Sequence, residues 1–132
     1  MKLLKHFAFE AGHFIPDHPT CGQIHGHSYK VTLEVEGPIS PSGFVIDFNV
    51  LKNTVGFWLK EVFDHKFLNS SFEWSPTAEL ISVYIFDKCY HLLGSITQDV
   101  KVVSVTVWET ESNAAVCTMA DWALFRHMCK LP

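Results

Sequence analysis

Hydrophobic and polar positions alternate over two stretches near the N-terminus. Between residues 3 and 13, Lys5, Phe7, Phe9, Ala11 and His13 fall on one face, and Leu4, His6, Ala8 and Glu10 on the other. A period of two is that of a half-buried β-strand. From 25 to 36 the alternation is cleaner: His25, His27, Tyr29, Val31, Leu33 and Val35 oppose Ser28, Lys30, Thr32, Glu34 and Glu36. The loop 14 to 24 joins the two strands as a hairpin, which "GPISPSG" ends with turn residues. The period then lengthens. Asp47 is a suitable N-cap, and Phe48, Leu51, Val55, Trp58, Leu59 and Val62 follow at helical spacing. "DHKFLNSSFEWSPT" reads as a loop. A second helix begins near Pro76 and Thr77, uses Leu80, Ile81, Tyr84, Ile85 and Leu92, and stops at Gly94. Alternation resumes over 101 to 109, with Val103, Val105, Val107 and Glu109 on one face. "TESN" turns the chain and 114 to 119 return as a fourth strand, leaving the tail "DWALFRHMCKLP" as a short helix.

The order ββααββ predicts an α+β fold, a four-stranded antiparallel sheet with both helices on one face. The opposite face, bearing Ser28, Lys30, Thr32 and Glu34, is only half polar, and an open sheet leaves two edges to manage. Both features favour self-association.

Composition narrows the class. The 132 residues suit one domain, 1–132, and 48% hydrophobic and 14% aromatic content supports a packed core. Net charge is −4 and Arg126 is the only arginine, which argues against a nucleic-acid surface. The N-terminal "MKLLKHFAFEAGHF" is broken by Lys5, His6 and Glu10, so it is no signal peptide, and no run is long enough to span a membrane. Four dispersed cysteines without a CxxC pair fit free thiols in a reducing cytoplasm.

The chemistry-bearing residues gather at strand ends. His25 and His27, at i and i+2, point the same way, and His13 ends the partner strand on the matching face. Three neutral imidazoles converging on one point suit zinc and leave a coordination position open. Cys21 admits three readings: a fourth ligand closing a structural site, a thiol beside the open side of the ion, or a small buried hydrophobe. Asp64 beside His65 pairs an acid with an imidazole it can orient. Glu109 puts a carboxylate at the end of an apolar stripe, where the strand either meets a site or runs into solvent. His6, His18, His91 and His127 read as surface residues.

The segments "FAFEAGH", "CGQIHGHSY", "GFVIDFNVLK", "FDHKFLN", "PTAE" and "VWET" resemble, in order and approximate spacing, the 6-pyruvoyltetrahydropterin synthase family over about residues 4 to 115. The three-residue gap between Cys21 and the HGH triplet is most similar to the bacterial, carboxy-forming branch of queuosine biosynthesis. The resemblance implies the tunnelling fold, with sheets of several subunits joined into a barrel as a trimer or hexamer and active sites between subunits. It implies Zn2+ on His13, His25 and His27, Cys21 as catalytic proton acceptor, and Asp64 and His65 as a proton relay. It implies Glu109 as the anchor for the pterin, with Thr77 and Glu79 lining the same pocket. The implied substrate is 7,8-dihydroneopterin triphosphate. The expected activity is a zinc-dependent lyase releasing 6-carboxy-5,6,7,8-tetrahydropterin, acetaldehyde and triphosphate. The alternatives are triphosphate elimination to 6-pyruvoyltetrahydropterin and, less in keeping with the motifs, a non-catalytic zinc-stabilised oligomer. The chain offers no evident arginine clamp for a triphosphate, and the tail from 120 to 132 lies beyond the pattern.

Overall fold

The two alternating stretches pair along their whole length. In a computed structural model describing residues 1–132, β1 (Lys2–His13) and β2 (His25–Glu36) run antiparallel, with Lys2 opposite Glu36 and His13 opposite His25. β2 pairs on its other side with β4 (Lys101–Trp108), and β4 with β5 (Ala114–Thr118), both antiparallel.

The sheet is wider than the sequence reading. A two-residue β3 (Lys66–Phe67) adds to the free edge of β1 in parallel, giving five strands in a mixed sheet ordered β3-β1-β2-β4-β5. The segment read as loop therefore carries this strand and one helical turn, α3 (Leu68–Ser71). Two parallel residue pairs leave no periodicity to detect, which is why the pattern missed them.

Asp47 caps the first helical run, accepting from Asn49 N at 2.8 Å. That run comprises α1 (Phe48–Leu51), a π-helical turn (Lys52–Gly56) and α2 (Phe57–Phe63). Leu51, Val55, Leu59 and Phe63 recur every fourth residue and are buried. Gly56 lets the run lie on β1, since a Cβ there would come within 3.1 Å of the Phe7 ring. The long helix α4 (Ala78–Ile96) starts at Thr77, whose hydroxyl accepts from Leu80 N, and runs two residues past Gly94.

The core lies between these helices and one face of the sheet. Phe9, Tyr29, Val31, Leu33, Val35, Val105 and Val107 from the sheet meet Leu51, Leu59, Phe63, Ile81, Ile85, Phe86 and Leu93 from the helices. Full burial of each large side chain stabilises by about 1.5–3 kcal/mol. One expectation shifts: the β2–β4 register slips between Glu34 and Val35, so Val102 is buried in place of Val103. The unpaired residue of a bulge flips the alternation locally. Leu93 likewise takes the core position expected of Leu92, which packs at its margin.

The tail forms α5 (Met119–Phe125), opened by a Thr118–Asp121 capping box, and a 3-10 turn (Arg126–Cys129). Trp122 Nε1 donates to the buried Asp87 at 2.9 Å, fastening the tail to α4. No helix is long and apolar enough to cross a membrane.

Candidate metal centre and adjoining cavity

The inner-face stripe of β1 and β2, apolar from Phe7 to Phe9 and from Val35 to Val31, ends in imidazole over its last two rungs. His13 faces His25 across the ladder and Ala11 faces His27, so the pairing brings all three rings to one end of the hairpin. Their ring centroids lie 4.7, 4.8 and 5.1 Å apart, and one nitrogen from each falls within 4.8 Å of the others. His13 is fully buried.

The hydrogen bonds decide which nitrogens are free. His13 Nδ1 donates to Pro76 O at 2.8 Å, and His25 Nδ1 donates to Gln23 O at 2.6 Å. Each ring therefore turns an unprotonated Nε2 inward, and these two lone pairs stand 3.1 Å apart. Two acceptors at that distance repel unless a cation lies between them. Ligand nitrogens on a tetrahedral zinc at ordinary bond lengths sit about 3.3 Å apart. His27 Nε2 is also buried and makes no hydrogen bond. Burial pushes the His27 imidazole below its usual pKa, and His13 and His25 add to this while Glu109 opposes it. The donor set fits a divalent transition metal.

Beneath the triad, the Tyr29 hydroxyl lies 3.2 Å from His13 Nδ1. Burial, with the charge of Glu109 adding, pushes its phenol up, so it stays neutral. Tyr29 also stacks on Phe9 at 4.9 Å, which ties the centre to the aromatic core.

Beside the triad opens a cavity of about 270 Å³ lined by Ile15, His18, Cys21, Thr77, Glu79 and Glu109, among others. Cys21 is partly exposed and stands outside the group of metal-capable atoms. Unlike the other three cysteines, which are buried, Cys21 reaches the cavity surface. Glu109 links cavity and triad: its Oε1 is 3.4 Å from His27 Nε2. Thr77 and Glu79 reach the cavity because α4 begins at its wall.

His65 lines a different hollow, with Glu10, Gly12, Gly26, His27 and Lys66, and Asp64 is hydrogen-bonded to His65 from alongside. Asp64 accepts from Glu10 N at 2.9 Å and from His65 Nδ1 at 3.0 Å. The Glu10 amide and the His65 ring hold its carboxyl below the usual range. His65 adopts a left-handed backbone, φ 55°, while its N–H donates to Glu10 O at 2.6 Å. His27 borders this hollow and lies 3.4 Å from the cavity residue Glu109, so it stands between them.

Sequence reasoning missed the carbonyls of Pro76 and Gln23, the Tyr29 hydroxyl and the Glu10 backbone. All but the neighbouring Gln23 carbonyl are revealed only by contact between distant segments. His18, read as an ordinary surface residue, is exposed yet lines the cavity. Its place three residues before Cys21 was the available signal.

Comparison with known proteins agrees with this geometry. The sequence model of the family described as 6-pyruvoyl tetrahydropterin synthase matches residues 2–120. A Bacillus subtilis protein named 6-carboxy-5,6,7,8-tetrahydropterin synthase is 32% identical over 125 residues, covering 87% of this chain and 83% of that one. A Pyrococcus furiosus protein named dihydroneopterin monophosphate aldolase is 34% identical over 87 residues, covering 66% and 71%. The solved 6-pyruvoyl tetrahydropterin synthase of Caenorhabditis elegans superposes with a TM-score of 0.76 at 23% identity, covering 89% of this chain and 94% of its own.

Proposed function

The chain belongs to the 6-pyruvoyl tetrahydropterin synthase family, and from that premise we propose that it is a zinc-dependent carbon–carbon lyase. Its substrate is 7,8-dihydroneopterin triphosphate, which with one water becomes 6-carboxy-5,6,7,8-tetrahydropterin, acetaldehyde and triphosphate. The observation that carries the reading is the juxtaposition of Cys21 and Glu109 on one cavity whose Glu109 wall abuts three inward-facing imidazoles.

His13, His25 and His27 would hold the metal, and zinc bound there would supply Lewis acidity that makes the protons of the substrate side chain easier to remove. The protein's own groups do the rest. Glu109 accepts two N–H donors from the edge of the pterin, which fixes the ring and aims the side chain toward the triad. Cys21, as thiolate, removes a proton from the side chain within the same cavity. His65, oriented by Asp64, exchanges protons with a separate portion of the reacting chain. Thr77 and Glu79 bound the pterin slot from the start of α4.

Because the Cys21 cavity and the His65 hollow are distinct within one protomer, we infer that a complete site takes Cys21 from one chain and His65 from another. The homo-oligomer this needs also covers the free edge of β5.

A second reading is favoured by the cavity wall, which carries Glu79 and Glu109 and no lysine or arginine. A substrate with fewer phosphates would need less cationic help, and the aldolase from P. furiosus is named for a monophosphate. Elimination alone, giving 6-pyruvoyltetrahydropterin, is the third outcome. The test offers zinc-loaded protein dihydroneopterin as triphosphate and as monophosphate and assays both pterin consumption and acetaldehyde. Acetaldehyde from the triphosphate supports the carboxy-forming reading. Triphosphate consumed without acetaldehyde points to the pyruvoyl product, and turnover of the monophosphate alone to an aldolase.

A further inference from the structure

We propose that His18 is a positioning residue that holds the loop bearing Cys21 in its working shape; this rests on the reading of Cys21 as the proton acceptor. Between β1 and β2 the chain closes on itself, with Ile15 N donating to Cys21 O at 2.6 Å and Gly22 N to His18 O at 3.0 Å. The His18 ring folds back over this closure. Its Nδ1 lies 2.9 Å from Cys21 N and 3.3 Å from both Thr20 N and Thr20 Oγ1.

A backbone amide can only donate, so Nδ1 is the unprotonated nitrogen and the neutral ring carries its hydrogen on Nε2. The ring thus takes the part that an asparagine or aspartate side chain plays in an Asx turn, accepting from the amides two and three residues on. Two backbone features shape the loop around it. Asp17 turns the chain through a left-handed conformation, φ 62°, immediately before the ring. At Gly22 a Cβ would meet His18 O at 2.6 Å, so only glycine lets the loop close there.

Packing offers little alternative support, because Pro16 to Thr20 are all exposed. The Cys21 amide hydrogen bond fixes the peptide plane from which the Cys21 side chain leaves. It thereby fixes where the Cys21 Cα stands at the cavity wall. Displacing a reacting group by about 1 Å costs on the order of a hundredfold in rate, so a pin of this kind acts on turnover more than on binding.

The test compares His18→Ala and His18→Asn with wild type, all zinc-loaded, in kcat and KM for 7,8-dihydroneopterin triphosphate, in zinc content and in amide hydrogen exchange at Cys21. His18→Asn keeps an acceptor near the Nδ1 position and is expected to hold kcat within about threefold with Cys21 still protected. His18→Ala is expected to lower kcat about tenfold or more with KM within about twofold. Its Cys21 amide exchanges about tenfold faster while zinc content stays at the wild-type level. Wild-type kcat in His18→Ala, unchanged exchange there, or equal loss of kcat in both variants overturns the proposal, the last by assigning the role to the Nε2–H. If the wild type does not turn over the pterin, the reading of Cys21 fails instead, and the exchange rates alone decide whether His18 pins the loop.

Discussion

Glu109 Oε1 stands 3.4 Å from His27 Nε2, so the carboxylate that ends the β4 stripe touches the rim of the imidazole triad. It thereby sets the distance between whatever Glu109 binds and whatever the histidines hold. Glu109→Gln keeps the shape and removes the charge. We expect kcat/KM for the pterin to fall about tenfold to a hundredfold, the worth of charge-assisted hydrogen bonds, with zinc content unchanged. Loss of zinc in that variant would assign Glu109 to the metal rather than the substrate.

Cys21→Ala separates catalysis from structure. The thiol lies outside the triad, so zinc stoichiometry and melting temperature should match wild type. Turnover should drop by about a hundredfold or more, the scale of a lost general base. Metal analysis and a product assay on one preparation check both halves. A variant that sheds its zinc would make Cys21 a ligand and close the site.

His13→Ala removes the one triad member with no solvent exposure. It also strips Pro76 O and the Tyr29 hydroxyl of their partner. Zinc binding should be abolished, and the variant should lose about 2 kcal/mol of stability for the polar groups left buried. Chelation of the wild type should lower its melting temperature while leaving those hydrogen bonds in place, hence by less than the mutation does. Calorimetry with and without chelator distinguishes the two.

Sites shared between subunits predict complementation. Cys21→Ala and His65→Ala should each lose most of their turnover, yet hybrids formed by unfolding and refolding them together should regain about a quarter of wild-type activity, the chance that both intact residues meet at one interface. If one chain supplies both residues, the mixture stays inactive.

The Asp64 carboxyl is held below its ordinary 3.8 by the Glu10 amide and the His65 ring. Because its folded pKa is depressed, the stabilisation is complete above 3.8 and is lost as pH falls toward the lower folded value. Asp64→Asn can still accept from Glu10 N but cannot titrate. Its stability should therefore fall less steeply below pH 3.8 than that of wild type, which acid unfolding followed by circular dichroism measures. Identical acid profiles would show that the carboxylate contributes nothing there.

Much of this arrangement was legible in the residue pattern because it depends on local periodicity. Alternation placed His13, His25 and His27 on one face with Phe9, Tyr29, Val31 and Leu33, and a hairpin of equal strands leaves little choice of register. Asp47 announced its helix by capping chemistry and the cap is made, and the second helix starts at Thr77, within the Pro76–Thr77 start expected of it. The motif order carried the family.

Other features answered to partners distant in sequence. β3 exists because two residues at 66 and 67 find the edge of β1, some fifty positions away. The bulge at Val103 reflects a mismatch between β2 and β4 that neither strand encodes alone. The sequence by itself determined which side chains could serve as ligand, base and anchor, since those depend on chemical type and on the period of the local backbone. Only the tertiary structure decided which nitrogen of the buried His13 faces inward, since Pro76 O takes the other. It also decided that His65 opens on another hollow, because hydrogen bonds to Pro76 and Glu10 arise only once separate segments are packed together.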